Sequence, residues 1–525
     1  MKGVANQNAR KSQHKFAHIP TVETQRSTFD RSHGVKTAFD AGKLIPIYVD
    51  EALPGDTFRL RMASFARLAT PIFPIMDNMY MDFFFFAVPN RLLWTNWQKF
   101  CGEQNNPGDS TDFTIPQVTN VPIGSGTLGS LMGLPAGGGN PTVNALHFRA
   151  YNLIWNEWFR DENLQNKEAN NIGDGPDVSG DYDILNRGKR HDYFTSCLPF
   201  TQKGDPVSLP LGTSAPVTST GDGIPIFDGT GWAAPANLTG QTGTPNAGWE
   251  TSPTSNDDAF WDDPKLITDL STATAATIND IRQAFQIQKL LERDARGGTR
   301  YTEVCRSHFG VVSDDARLQR PEYLGGGSTR VNIHPVSATA GDATQPDVGT
   351  LAGFGTAMQD GIGFVKSFTE HCTLIGMVNV RADLTYQQGL ERMWTRQTRY
   401  DYFWPALAHL GEQAVLNKEI YFQDNPTFDD AVFGYQERYA EYRYKPSRCT
   451  GLMNTGHATT LGAWHLALEF TALPLLNNVF IEDNPPIDRC IAIPTEPHFI
   501  GDFYMNLQCA RPMPTYSVPG LVDHF

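Results

Sequence analysis

The chain has 525 residues, a formal charge of −15, and a composition of 40% hydrophobic and 19% charged residues. Those values describe a folded protein and exclude a uniformly basic nucleic-acid binder. No run of about 18 apolar residues occurs, so no membrane span or membrane insertion is expected, and Met1-Lys2-Gly3-Val4 does not open the apolar core of a secretory signal.

Charge is unevenly distributed. Residues 1–36 carry seven Lys or Arg against Glu23 and Asp30, and are poor in aliphatics. This predicts an extended basic arm that depends on a partner for order. Lys2, Arg10, Lys11 and Lys15 precede any acid and are the candidate DNA-binding residues. The competing reading is a solvated tail that buttresses neighbouring subunits.

Three strand-like runs follow between Leu44 and Val88, each closed by Pro or Gly. Leu44–Val49 is the first, ended by Leu53-Pro54-Gly55-Asp56. In the second, Phe58, Leu60 and Met62 alternate with Arg59, Arg61 and Ala63, the pattern of a strand with one buried face. The third, Met79–Val88, ends apolar on both faces and predicts cover on both sides. Turns this tight join neighbouring antiparallel strands.

Residues 101–141 turn to Gly, Pro, Asn and Thr and read as loop. Tyr151, Ile154, Trp155, Trp158 and Phe159 then recur at helical spacing, predicting a helix from Val143 to about Gln165. Residues 201–264 hold eight acids and one lysine, and 32 of these 64 positions are Gly, Pro, Ser or Thr. So long a loop in a compact protein marks function or disorder; its scattered apolar residues favour a small β-rich excursion. A further helix is expected where Ile278, Ile281, Phe285 and Leu291 share a face, begun by Thr277-x-x-Asp280 and ended by Gly297-Gly298. Candidate strands at His371–Val380, Trp464–Phe470, Asn478–Glu482, Arg489–Ile493 and His498–Gln508 complete the chain. Strands at both ends with helices and loops between predict one elaborated β-sandwich.

Motifs that carry chemistry are few. Tyr435, Tyr439, Tyr442 and Tyr444, interleaved with Arg438, Arg443 and Lys445, resemble a stacking surface for bases, but their helical spacing favours packing or a subunit contact. Trp394, Phe403 and Trp404 near Arg392, Arg396 and Arg399 read the same way. Asp174, Asp177, Asp181 and Asp183 offer oxygens at short spacing without matching an ordered calcium loop, so no metal is assigned. Gly325-Gly326-Gly327 lacks the strand–helix context of a phosphate cradle, and neither Gly-x-Ser-x-Gly nor His-Glu-x-x-His occurs. The seven cysteines form no close pair and predict buried free thiols. No enzyme activity and no cofactor are expected.

Longer stretches resemble a known family. Arg26-Ser27-Thr28-Phe29-Asp30-Arg31-Ser32-His33, Phe148-Arg149-Ala150-Tyr151-Asn152-Leu153-Ile154-Trp155-Asn156-Glu157-Trp158-Phe159-Arg160-Asp161, Arg293-Asp294-Ala295-Arg296-Gly297-Gly298-Thr299-Arg300-Tyr301 and Phe433-Gly434-Tyr435-Gln436-Glu437-Arg438-Tyr439 are similar to the major capsid proteins of microviruses. Within them the chain resembles the gokushovirus branch of small single-stranded-DNA bacteriophages. The resemblance implies a mainly β protein, an eight-stranded antiparallel jelly roll of viral capsid type, assembled into a T=1 icosahedral shell around a circular single-stranded genome. It implies subunit contacts at twofold, threefold and fivefold axes, and assembly in the cytoplasm of a host bacterium into a virion. The arm would occupy residues 1–36, the jelly-roll core 37–200 and 265–525, and a threefold protrusion 201–264. That protrusion is expected to meet a host cell-surface receptor, with Asp222, Asp228, Trp232 and Trp249 as candidate attachment residues. The alternative is a carbohydrate-active or carbohydrate-binding β-sandwich, suggested by ten tryptophans and many carboxylates.

Overall fold

Phe58, Leu60 and Met62 are buried while Arg59 and Arg61 are exposed, so the alternation does build a one-faced strand over Thr57–Leu68. The computed structural model describes residues 25–208, 217–219, 226–229, 236–240, 247–249, 259–261, 266–268, 277–315, 317–339 and 347–516. The chain divides into two units, one of Met1–Thr201 with Thr299–Phe525 and one of Gln202–Gly298.

In the first unit ten strands form two sheets. They are β1 (Ser27–Asp30), β2 (His33–Phe39), β3 (Ile45–Ala52), β4 (Thr57–Leu68), β5 (Met79–Pro89), β6 (Glu322–Arg330), β7 (Asn332–Ser337), β8 (Leu351–Ser367), β9 (Cys372–Ala382) and β10 (Phe499–Arg511). One sheet runs β1-β10-β4-β8-β7, with β2 also on β10; the other runs β6-β5-β9-β3. Every pairing within them is antiparallel. The chain crosses repeatedly between sheets: β2 and β4 lie in the larger, β3 and β5 in the smaller, then β8 and β10 against β6 and β9. This is a mainly β, jelly-roll arrangement. Strands β1 and β7 lengthen the larger sheet beyond the eight strands expected.

The larger sheet extends back into the stretch read as arm. Pairing with β10 runs from Ser27 opposite Arg511 to Phe39 opposite Phe499. An edge strand with a wetted face needs little apolar alternation, so Ser, Lys and His hid it.

Between the sheets, Phe58, Leu60, Met62, Phe83, Phe85, Phe499, Phe503 and Leu507 form the main core. A second core packs Phe86, Val88, Ile375 and Met377 against Trp94, Phe148, Tyr151 and Ile154 of the helical insertion. Strands β5 and β9 therefore have cores on both sides, and all eleven residues of β9 are buried. The helix α1 (Leu146–Ile154) continues in a wider turn over Trp155–Phe159 and stops short of Gln165. It stops because the Asp161 carboxylate accepts from the backbone of Asn163 (2.9 Å) and Leu164 (3.2 Å), starting a local turn.

Three expected strands are absent. Trp464–Phe470 and Arg489–Ile493 are irregular: the Arg489 guanidinium donates to the carbonyls of His465 (2.9 Å) and Ala467 (2.6 Å), which a ladder would have used. Asn478–Ile481 is a helical turn capped by Asn477, whose Oδ1 accepts from Phe480 N at 3.0 Å. The thiol expectation holds for Cys197, Cys372, Cys490 and Cys509, but Cys101 is exposed.

In the second unit, α2 (Ile278–Gly297) has the predicted start: Thr277 Oγ1 accepts from Asp280 N (3.1 Å) and the Asp280 carboxylate accepts from Thr277 N (2.9 Å). Short strands precede it, four of them in one sheet ordered Ala247–Trp249, Ala236–Gly240, Ile226–Gly229 and Ala259–Trp261.

Candidate assembly and nucleic-acid surfaces

Lys2, Arg10, Lys11 and Lys15 lie outside the described residues, as do Asp222 and Trp232. Asp228 and Trp249 fall on strands of one small sheet, separated by the strand Ala236–Gly240. There Asp228 stands opposite Phe260, and Trp249 opposite Leu238.

The outward face of the six-stranded sheet was not singled out by the sequence. Along β4 it presents Arg59, Arg61, Ala63, Phe65 and Arg67. Phe65 is 46% exposed, and neighbours on β8 and β10 are bare: Met358 68%, Val365 70%, Ile500 66%, Tyr504 51%. Large apolar side chains left bare together on one sheet face mark a candidate interaction surface. The signal was present in the alternation itself, whose polar partners are arginines.

The tyrosine cluster is not helical. Tyr435 lies on the strand Val432–Glu437, Tyr439 is buried at a left-handed φ of 62°, and Tyr442 closes a tight turn over Ala440–Tyr442. Cations stack on rings here, with Arg396 4.3 Å from the Tyr442 centroid and Arg438 4.9 Å from that of Tyr439. Carboxylates already engage most of the cations: Arg396 with Glu441 (3.5 Å), Arg392 with Glu419 (3.5 Å), Arg448 with Glu391 (2.7 Å), and Arg443 with Glu437. Phosphates would have to displace those partners. With Trp394, Trp404 and Leu410 exposed nearby, the cluster fits a protein contact better than a base-stacking surface.

The same region holds a cleft of about 220 Å³ lined by Trp394, Tyr444, Glu419 and Glu441. Both acids are committed. Glu419 accepts from Tyr193 Oη (2.9 Å) and Leu416 N (3.0 Å), Glu441 from Gln413 (2.6 Å). Burial pushes the Glu419 carboxyl up, against the opposing charge of Arg392. These contacts tie both carboxylates to the protein's own side chains and backbone, and they offer no free pair facing across the cleft for the carbohydrate-active alternative.

The aspartate-rich turn is equally committed. Asp177 is buried and takes a two-pronged bond from Arg149, Nε to Oδ2 and Nη2 to Oδ1, each 2.7 Å. Asp174 accepts from Trp94 Nε1 (2.7 Å) and Asn96 (2.8 Å), and Asp181 from Asn171 (2.9 Å). These side chains serve separate partners.

A buried charged cluster went unnoticed in the sequence. Asp82 on β5 accepts from Arg381 Nε (2.9 Å), Arg187 and Ser328. Burial pushes its carboxyl up, but Ser328 and the two arginines outweigh that and hold it below the usual range. Nearby, burial pushes the Asp483 carboxyl up to about 7, against the charges of Lys189, Arg187 and Arg381 and with that of Asp82.

Sequence comparison places this architecture among known proteins. A family model described as capsid protein (F protein) matches residues 17–521. The capsid protein VP1 of Bdellovibrio phage phiMH2K is 49% identical over 98% of this chain and 99% of its own length. That of Chlamydia phage 1 is 41% identical over 97% of each chain. That of Spiroplasma virus 4 is 37% identical, again over 97% of each.

Proposed function

We propose that this chain, which belongs to the capsid protein (F protein) family, closes with copies of itself into a T=1 icosahedral shell around a circular single-stranded DNA genome. It is a structural, non-enzymatic capsid protein and a virion component, as its resemblance to microvirus capsid proteins implied. The observation that carries the shell reading is the family match over residues 17–521, laid on a jelly-roll body with exposed apolar faces. Obligate interfaces commonly bury more than about 2,000 Å², and closed symmetry lets one chain enclose a volume by repetition.

Within that shell, the basic arm with Lys2, Arg10, Lys11 and Lys15 faces the genome, and the acidic insertion 201–264 faces outward. Charge supports both placements, because a polyanion attracts the first and repels the second. The insertion, with Asp222, Asp228, Trp232 and Trp249, meets the host receptor, and assembly takes place in the bacterial cytoplasm. Expressing the chain and imaging the product tests the shell: closed particles of one size support it, and a monomer contradicts it. Particles lacking 201–264 should lose adsorption to host cells; normal adsorption would remove the attachment role.

A further inference from the structure

Among the described residues nothing covers the outward face of the six-stranded sheet, whereas α1 and its neighbours cover the four-stranded one. Along β4 that face runs Arg59, Arg61, Ala63, Phe65, Arg67. Successive side chains on one face of a strand stand about 6.7 Å apart, twice the rise per residue. Phosphates of an extended nucleic-acid strand repeat on the same scale. Among the described residues Arg59, Arg61 and Arg67 make no ion pair, while Lys36 on the same face pairs with Asp502 at 3.4 Å.

The register brings rings beside this row. Phe65 stands between Met358 and Asp502, and Ala63 between Asp360 and Tyr504. Because Ala63 and Gly34 have little or no side chain, a shallow depression of about 610 Å³ opens there, walled by Phe65, Tyr504 and Met358. It lies between Arg61 and Arg67 along the strand.

We infer that this face binds single-stranded DNA, with the arginines along the phosphates and a base held in the depression against Phe65 and Tyr504. Rings that stack any base, beside cations that follow the backbone, are how single strands are held without sequence preference. Asp360 lines the same depression, where its carboxylate can accept from a base amino group, while Asp502 is paired with Lys36. A second copy of the chain fits less well, since a twofold contact through this face would set the arginine row against its own image. The inference rests on the capsid reading, which supplies the enclosed strand, and it turns the six-stranded sheet toward the lumen.

The test uses full-length protein carrying Arg59→Gln, Arg61→Gln and Arg67→Gln, titrated with a fluorescent oligo-dT across a salt series and imaged for particles. At about 0.7 per phosphate contact, the log–log salt slope should become shallower by about 2. Phe65→Ala with Tyr504→Ala should weaken binding several-fold and leave the slope unchanged. Unchanged slope and affinity in both variants would overturn the inference. So would loss of particles with DNA affinity intact, which would give the face to a second copy. The titration reads out whether or not particles form, so failure of the unsubstituted chain to assemble would count against the capsid reading alone.

Discussion

Arg149 on α1 and Asp177 meet in a buried two-pronged ion pair, their side chains 2% and 4% exposed. The remaining guanidinium nitrogen, Nη1, donates to the carbonyls of Leu93 (3.0 Å) and Gly173 (2.9 Å), so one side chain on α1 ties the helix to the segment at Leu93 and to the turn over Gly173–Asp177. Removing one partner of such a pair leaves a buried charge without compensation, at about 3–5 kcal/mol. Asp177→Ala should lower the unfolding midpoint accordingly. Arg149→Met with Asp177→Leu should recover part of the loss, because an apolar pair removes both charges. Equal stability of Asp177→Ala and the parent in urea titration would contradict the arrangement.

Strand β6 approaches its neighbours through glycine. A Cβ added at Gly326 would lie 2.2 Å from the carbonyl oxygen of Phe83, and one at Gly363 on β8 2.1 Å from that of Leu60. Both obstacles are backbone in paired strands and cannot swing aside. Gly326→Ala and Gly363→Ala should each cost about 3 kcal/mol or more, seen as loss of soluble protein or a lowered unfolding midpoint. Gly138→Ala, with nothing within 4 Å, is the silent control.

Asp483 gives stability a pH dependence. Its folded-state value of about 7 stands above the ordinary 3.8, so the folded chain holds this proton where the unfolded chain releases it. The contribution is present below about pH 4 and lost as pH rises through about 7. At 1.36 kcal/mol per pH unit the limit is on the order of 4 kcal/mol. Asp483→Asn should flatten the fall in thermal midpoint between pH 5 and pH 8. Some slope will persist, since burial raises Glu419 in the same direction. An unaltered pH profile would exclude Asp483 as its source.

Deleting residues 2–15 should leave particles that form but hold DNA less tightly. Four lost contacts at about 0.7 each make the salt slope shallower by roughly 3. DNA retention that is unchanged across the salt series would remove the arm from the genome interface.

Much of the jelly roll could be read from the chain because its strands obey local rules. Period-2 alternation located β4, and an apolar run on both faces announced that β5 is covered twice. Thr277 and Asp280 announced the start of α2. What stayed hidden depends on distant partners. Strands β6 and β8 contain Gly325, Gly326, Gly327, Gly353, Gly355 and Gly363, which close packing against neighbouring strands explains, and Gly361, which sits at a φ of 84° where the β8 register shifts; such a composition spells loop until the partners are in place. The helical spacing of Tyr435 to Tyr442 misled for the opposite reason: a strand and a tight turn reproduce it by chance. Of the candidate sites, acidic and basic segments were legible as charge runs. The arginine row on β4 was visible only as the polar half of an alternation, and its lack of ion-pair partners among the described residues appears only once β8 and β10 lie beside it.

A density map of the assembled particle bears most directly on the whole account. It should contain repeated copies of the two-sheet body in a closed shell, with the arm and the Arg59–Arg67 face inside and residues 201–264 outermost. Isolated chains in solution, or the acidic insertion lining the lumen, would contradict it.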